Sequence, residues 1–217
     1  MKDGWQAPLA ALLIIVGGAL FVAYPIKSSS DVAAWVQAIG SVGAILTAVW
    51  VFQRQYQTNI DNDKAETRAF VQAIRAEIET VWHDYSGLVG KQLRAVPPGG
   101  FYDFIVPSAE RRLIVYTNSS ARVGKIDNDK LRKTIIQVYG GLAGHFASME
   151  MNSRMLAEFE RFAATYQRDD KEQEIQRKLK SLTVYTESLK MSDLTLQREV
   201  LGLQFLIDAW LANRPGR

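Results

Sequence analysis

Two uncharged apolar stretches at the start of the chain most constrain its fold. Residues 4–26 carry no charged side chain, and neither do residues 32–53. A helix of about 20 apolar residues, rising about 1.5 Å each, crosses the hydrocarbon core of a bilayer. The residues between the stretches, 27–31, are polar and leave room only for a tight turn. The sequence therefore predicts a transmembrane helical hairpin, with spans at about 7–26 and 32–53. Because a second full span follows the first, we do not interpret the first as a cleaved signal peptide.

The rest of the chain has the composition of a soluble domain. Nearly all charged residues follow residue 53, and the whole chain has 26 Lys and Arg, 23 Asp and Glu and a net charge of +3. The two signs alternate, which is typical of solvated helix faces, so we predict no direct nucleic-acid binding. The chain has no cysteine, which excludes disulfides, thiolate metal sites and thiol nucleophiles.

The basic residues around the two stretches predict the orientation in the membrane. Only Lys27 lies in the turn, whereas several basic residues follow the second stretch: Arg54, Lys64, Arg68 and Arg75. Because cytoplasmic loops carry the excess of Lys and Arg, we expect both termini in the cytoplasm.

Small and polar residues share one face of the second stretch. At helical spacing they form a single stripe: Gln37, Gly40, Ser41, Ala44, Thr47 and Ala48. Small residues let a partner backbone approach closely, and polar side chains form hydrogen bonds across such contacts. We call this face the small-residue stripe. Two interpretations stay open: packing against the first span, which offers Ala11, Gly17 and Gly18, or contact between copies of a homo-oligomer that lines a polar path.

The remaining sequence predicts long helices. No proline or glycine lies between Ala44 and Ser86, so we expect the second span to continue as one helix, with a weak point at 59–63. Residues 97–100, Pro-Pro-Gly-Gly, should end that region. Residues 101–124 are the least helical part: 101–106 and 113–116 are β-prone, and an apolar loop or a small hairpin both fit them.

Two more helices are predicted after this segment. Asp127 or Asn128 is suited to cap the first, which has apolar residues at Leu131, Ile135, Val138, Leu142, Phe146 and Met149. The periodicity resets at 168–170, and leucines then recur seven residues apart, with a break expected near 191–193. The predicted fold is an all-α membrane protein, with an N-terminal transmembrane hairpin (1–53) followed by a cytoplasmic helical bundle with long helices (54–217).

No constellation typical of catalysis, metal binding or cofactor binding occurs in the sequence. The two histidines, His83 and His145, are predicted in different helices, and no phosphate-binding or nucleophile motif is present. Neither span contains a charged side chain, which argues against an ion transporter. We therefore expect a protein that is not an enzyme and has no cofactor.

Two segments resemble a known group of proteins. The segment 35–41, Trp-Val-Gln-Ala-Ile-Gly-Ser, opens the second span. A second segment combines Pro107, Tyr116-Thr-Asn118, Gly124-Lys-Ile126 and Leu131 and leads into a helix with Tyr139. Together they resemble small bacterial and prophage membrane proteins with cytoplasmic helical tails. Some of these are similar to the two-span effectors that accompany retron reverse transcriptases in antiviral defence.

The resemblance implies a bacterial inner-membrane protein that stays silent until infection, then damages the membrane and kills the host cell. Its implied partners are membrane lipid, other copies of itself as a homo-oligomer, and a reverse transcriptase with its nucleic acid as the controlling complex. No catalytic residue is carried over. The alternative is a membrane-tethered scaffold or adaptor that recruits a partner and never permeabilises the bilayer.

Overall fold

The described part of the protein is all-helical, as predicted. A computed structural model describes residue 11 and residues 15–19, 22–23, 28–106 and 113–213. It is 88% helix, and no strand occurs among the residues it describes. The chain divides into two compact units, Met1–Asp61 and Asn62–Arg217. The predicted boundary after residue 53 stays a prediction.

From residue 29 onward, the described residues form five α-helices, one π-helical turn and one 3-10 turn. In chain order they are α1 (Ser29–Tyr85), a π-helical turn (Ser86–Gly90), α2 (Lys91–Ala95), α3 (Ile114–Ser119), a 3-10 turn (Ser120–Lys125), α4 (Asp129–Thr165) and α5 (Lys171–Ala212).

The start of α1 uses the residues that were predicted as a turn. The Ser28 amide donates to the Asp31 carboxylate at 2.9 Å, and the Asp31 amide donates to Ser28 Oγ at 3.4 Å. This reciprocal pair occupies two amides at a helix start that have no partner inside the helix. The helix therefore begins at Ser29, slightly before the predicted start of the second span at residue 32.

Among the described residues, one helical run is long and apolar enough to cross a membrane. The helical run Ser29–Ala95 includes an 18-residue window of mean hydropathy 1.8, none of it buried. In the predicted first span, residues 11, 15–19 and 22–23 are helical. The rest of 7–26 lies outside the described residues, as does Lys27, so the hairpin stays a prediction.

The second unit has one apolar core, formed by the C-terminal part of α1 with α4 and α5. In α1, Val71, Ile74 and Ile78 are buried, and the predicted apolar positions of α4 are buried as well. In the π-helical turn, Val89 is buried and Leu88 is 64% exposed. A long helix without Pro or Gly was predicted, and α1 confirms it by continuing without a break through 59–63.

The predicted ends of the helices follow local chemistry. Asn128 Oδ1 accepts the Leu131 amide at 2.9 Å and caps α4. α2 ends at Ala95, before the prolines, and Gly99 has a φ of 78°, a left-handed conformation that favours glycine. The reset at 168–170 is confirmed, since it lies between α4 and α5.

The seven-residue leucine repeat of α5 faces the core. Its members Leu182, Leu189, Leu196 and Leu203 are all at most 3% exposed. The predicted break near 191–193 is wrong, because α5 is continuous from Lys171 to Ala212. The charged residue that suggested a break, Asp193, is fully buried and bonded to other helices.

Residues 101–106 form an extended loop whose backbone bonds to side chains rather than to a strand. The Tyr102 amide donates to Thr186 Oγ1 at 2.9 Å, and Asn152 Nδ2 donates to the Tyr102 carbonyl at 2.9 Å. The Val106 amide donates to Ser153 Oγ at 3.0 Å. The apolar-loop interpretation is therefore right for 101–106, and the hairpin alternative is wrong.

The second β-prone segment is helical because a distant carboxylate caps it. Glu77 accepts the amides of Val115 at 2.6 Å and Tyr116 at 3.1 Å, both in the first turn of α3. It also accepts the Tyr139 hydroxyl at 2.7 Å. A carboxylate at a helix N-terminus satisfies free amides and complements the helix dipole. This contact favours a helix where local propensity favours a strand.

Candidate functional site

The small-residue stripe lies on an exposed face of α1. All six of its residues are exposed, as are the large apolar residues around the rest of the helix, such as Val36, Ile39 and Ile45 at 63% or more. In the described part of the chain, nothing covers this stretch of α1.

The hydroxyl groups of the stripe bond to their own helix. Ser41 Oγ donates to the Gln37 carbonyl at 2.8 Å, and Thr47 Oγ1 donates to the Gly43 carbonyl at 2.9 Å. Such bonds satisfy a hydroxyl proton where no water is available. The oxygen atoms keep lone pairs that accept a hydrogen bond from a neighbouring helix or from water.

Space around the glycines of the stripe region is open. A Cβ atom added at Gly40 meets nothing within 4 Å, and the same holds at Gly43, Gly17 and Gly18. A larger side chain at Gly40 therefore fits the described chain without a clash. Which surface covers the stripe, the first span or another copy, stays a prediction.

Aromatic and basic residues mark the end of the apolar stretch. Trp50 and Tyr56 are 58% and 57% exposed, and Arg54 Cζ lies 5.5 Å from the centroid of the Trp50 ring. Amphipathic rings and basic side chains of this kind sit at the headgroup level of membranes. Their position agrees with an apolar segment that ends near residue 53.

A buried polar network in the second unit was missed by the sequence analysis. Asp193 on α5 accepts the Tyr85 hydroxyl at 2.9 Å through Oδ1 and Arg94 Nη1 at 2.8 Å through Oδ2. The Tyr85 oxygen lies 2.7 Å from His145 Nε2, and His145 Nδ1 lies 2.9 Å from Ser192 Oγ. We call these five residues the polar network.

Donor counting assigns the protons of the polar network. Tyr85 has one hydroxyl proton and gives it to Asp193, so Nε2 of His145 donates to the Tyr85 oxygen. Nδ1 of the neutral ring then accepts the Ser192 hydroxyl. Burial lowers the pKa of His145, although Asp193 acts against this change, and so favours the neutral ring. Burial and then Asp193 raise the pKa of Tyr85 above 10.

A glycine makes room for this arrangement. A Cβ atom at Gly90 would lie 3.1 Å from Arg94 Nη1 and 3.2 Å from Tyr85 Cε1. Arg94 also donates to the Ser86 carbonyl at 3.0 Å, so its side chain folds back over the π-helical turn. A side chain at Gly90 would therefore require Arg94 or Tyr85 to shift by a few tenths of an ångström.

The polar network joins helices rather than opening to a substrate. His145 is 2% exposed and Asp193 is 0% exposed, so solvent does not reach the ring or the carboxylate. His83 lies on the exposed side of α1. Among the described residues, no group of three or more His, Asp or Glu is placed to hold a metal ion.

Comparison with protein-family models, with curated proteins and with solved structures finds no match for this chain. The resemblance to retron-associated effectors therefore stays a prediction that rests on its short segments.

One signal in the sequence pointed to the polar network. Asp193 falls between Leu189 and Leu196, on the same face of the leucine repeat, where an apolar residue is expected. A charged residue at a core position is almost never buried unless it is paired. The partners of Asp193, Tyr85 and Arg94, are far away in the sequence, so periodicity alone did not identify them.

Proposed function

We propose that this protein is a non-enzymatic effector of the bacterial inner membrane, which damages the membrane and kills the cell in antiviral defence. The observation that carries the proposal is the fully exposed apolar stretch of α1 with its small-residue stripe. Burying one Val, Leu or Ile side chain is worth about 1.5–3 kcal/mol. Such a stretch is stable only when lipid or protein covers it.

In this proposal, copies of the chain assemble in the bilayer through the small-residue stripe. Close backbone approach at Gly40, Ala44 and Ala48 brings Gln37 of several copies together, since an amide in hydrocarbon requires a polar neighbour. The polar groups then line a path that admits water and ions. No charged side chain within 32–53 opposes the insertion of this segment.

The helical part of the chain is the control element, in the cytoplasm with both termini. It acts through contacts, because its buried titratable groups, His145 and Asp193, are enclosed. The proposed controlling partner, on the strength of the resemblance, is a reverse transcriptase with its nucleic acid. Loss of that complex during infection would release the effector.

A specific observation favours a second function, that of a membrane-tethered scaffold. The hydroxyl protons of Ser41 and Thr47 bond to their own helix, which is the usual state of hydroxyls in a packed membrane helix. Under this alternative the stripe only packs, and the helical part recruits a partner without damage to the bilayer.

The test is a matched pair of substitutions in the full chain. Gly40→Leu fills the stripe, whereas Ala38→Leu places a leucine about 160° around the helix from Gly40. The chain is expressed alone in bacterial cells, and a dye reports the membrane potential. We expect the wild type and Ala38→Leu to depolarise the membrane and Gly40→Leu to abolish the effect, with membrane insertion checked for each. Val42→Leu, on the opposite face, should also be tolerated.

Two results contradict the effector proposal. Intact membrane potential with the inserted wild type supports the scaffold. Equal effects of Gly40→Leu and Ala38→Leu would mean that the stripe is ordinary packing surface. Orientation is tested separately in the cysteine-free chain: Ser29→Cys should react with an impermeant maleimide in intact cells, and Asn62→Cys only after lysis.

A further inference from the structure

The side of α5 that faces away from the core carries a second apolar stripe. Its large residues are Val184 at 63% exposed, Met191 at 64%, Leu194 at 43%, Leu201 at 54% and Phe205 at 74%. They are spaced by three, four or seven residues, as in a helix-packing seam, and are separate from the buried leucine repeat. We call this surface the outer stripe. Large exposed apolar patches mark interaction sites.

Two charged residues complete the outer stripe. Glu187 and Arg198 occupy the positions in the seam that are not apolar, and both are exposed. Glu187 accepts a bond from Lys190 Nζ at 3.0 Å, a surface pair of the kind that contributes little. Arg198 makes no salt bridge within the described residues.

The order of residues along the outer stripe is self-complementary. About a midpoint between residues 192 and 193, Met191 is the counterpart of Leu194. Glu187 and Arg198 are the next pair at equal distances from the midpoint. The pair after that is apolar, Val184 with Leu201. In an antiparallel pair with two-fold symmetry, every residue meets its counterpart and each contact occurs twice.

We propose that the outer stripe of α5 binds a second copy of this chain, antiparallel, with Glu187 of each copy against Arg198 of the other. The same alignment continues outward. It sets Asp208, which already bonds to Arg75 at 3.0 Å, near Arg177 of the other copy, and it sets Phe205 near Lys180. Both combinations are attractive, the first by charge and the second through the aromatic face.

The neighbouring residues permit two helices to approach closely. One flank of the outer stripe carries only small side chains, Ser188, Thr195 and Gly202. A Cβ atom added at Gly202 meets nothing within 4 Å, so this flank is open. Small flanks reduce the distance between helix axes and increase the apolar area that the seam buries.

Charge complementarity selects a second copy in the antiparallel direction. A parallel pair in register would oppose Glu187 to Glu187 and Arg198 to Arg198, which is repulsive. A lipid surface would place the charged Glu187 carboxylate in the middle of the apolar contact, whereas membrane-binding faces keep charged residues on the polar side. This proposal is independent of the membrane effector proposal.

Cysteine cross-linking of the full chain in membranes tests the alignment, because the chain has no native cysteine. A chain with Val184→Cys should form a disulfide with a differently tagged chain that carries Leu201→Cys, and Met191→Cys should do so with Leu194→Cys. Two copies of Val184→Cys should not cross-link. Their Cβ atoms would be about 25 Å apart along the helices at about 1.5 Å per residue, far beyond the reach of a disulfide.

Charge reversal provides the second test. Glu187→Arg and Arg198→Glu should each lower the yield of the 184–201 cross-link about tenfold, and the two together should restore it, since opposite charges then face each other again. Circular dichroism verifies that each variant is folded. The proposal is overturned if 184 cross-links with 184 but not with 201, if no pair cross-links in folded chains, or if the double reversal behaves like the single ones. If the Gly40→Leu chain no longer depolarises the membrane but still forms the 184–201 cross-link, the result supports both proposals, because the two contacts are then separate.

Discussion

Replacing Arg94 with methionine should destabilise the second unit more than replacing Arg94 and Asp193 together. Asp193 is fully buried, and its carboxylate accepts from Arg94 and from Tyr85. Removal of the guanidinium leaves a negative charge in the core with only a hydroxyl as donor. Asp193→Asn removes that charge and keeps an oxygen that accepts the Tyr85 hydroxyl.

The magnitude follows from the burial of the two partners. Breaking a buried ion pair from one side costs about 3–5 kcal/mol. The Arg94 side chain is 37% exposed, so water enters where it was and solvates the carboxylate. We therefore expect Arg94→Met to lower the free energy of unfolding by about 3 kcal/mol. The double variant with Asp193→Asn should lower it by about 1.5 kcal/mol, because there only a neutral amide lacks a partner.

The assay is urea unfolding of the full chain in detergent micelles, followed by tryptophan fluorescence. Trp210 is only 6% exposed, so its surroundings change when the second unit unfolds. Asp193→Asn alone completes the double-mutant cycle, whose coupling energy should exceed about 1 kcal/mol. A double variant less stable than Arg94→Met would refute the reasoning, because the buried charge would then not be the source of the cost.

Three further predictions concern other parts of the second unit. Burial lowers the pKa of His145 below 6.5, so the unfolded chain binds a proton at this histidine more readily than the folded chain. The free energy of unfolding should therefore be highest above pH 6.5 and fall as the pH drops, by at most about 1.4 kcal/mol per pH unit. His145→Gln should lack this dependence. Glu77→Ala should cost about 2–3 kcal/mol in urea titrations, because it leaves two α3 amides and one tyrosine hydroxyl without their acceptor; a loss below about 0.5 kcal/mol would contradict this. Gly140→Ala, which meets open space within a helix, should raise the melting temperature through a gain of about 0.5–1 kcal/mol, whereas Gly99→Ala should lower it because of the positive φ.

Local sequence signals predicted the long helices well. The absence of Pro and Gly over 44–86 predicted the continuity of α1, and the candidate caps Asp127 and Asn128 predicted the start of α4, where Asn128 is the cap. The heptad leucines of α5 predicted its buried face. Each of these signals acts within a few residues, and caps and periodicity depend only on such short distances.

The errors in the prediction arose where distant residues decide the local structure. Residues 113–116 are β-prone, yet they lie at the start of α3 because Glu77, on another helix, accepts its amides. A break was predicted near 191–193, yet Asp193 is a core residue of a continuous helix, because Arg94 neutralises its charge and Tyr85 donates a hydrogen bond to it. A sequence window cannot show partners that only the fold brings together. For the small-residue stripe, the sequence identifies the face but not the surface that covers it.

The two proposed contacts between copies depend on different interactions, so experiments can distinguish them. Lipid is as apolar as a helix surface, so contact through the small-residue stripe depends on steric fit at Gly40 and is insensitive to salt. The outer stripe of α5 lies in the second unit, where apolar burial stabilises association and the pairs of Glu187 with Arg198 select the direction. Salt screens exposed charges beyond about 10 Å at 0.1 M and over shorter distances at higher concentration. Raising the salt should therefore weaken the preference for the 184–201 cross-link while it leaves depolarisation by the assembled stripe unchanged. An assembly that is lost on Gly40→Leu and does not change with salt is formed through the small-residue stripe. One that is lost on charge reversal is formed through the outer stripe of α5.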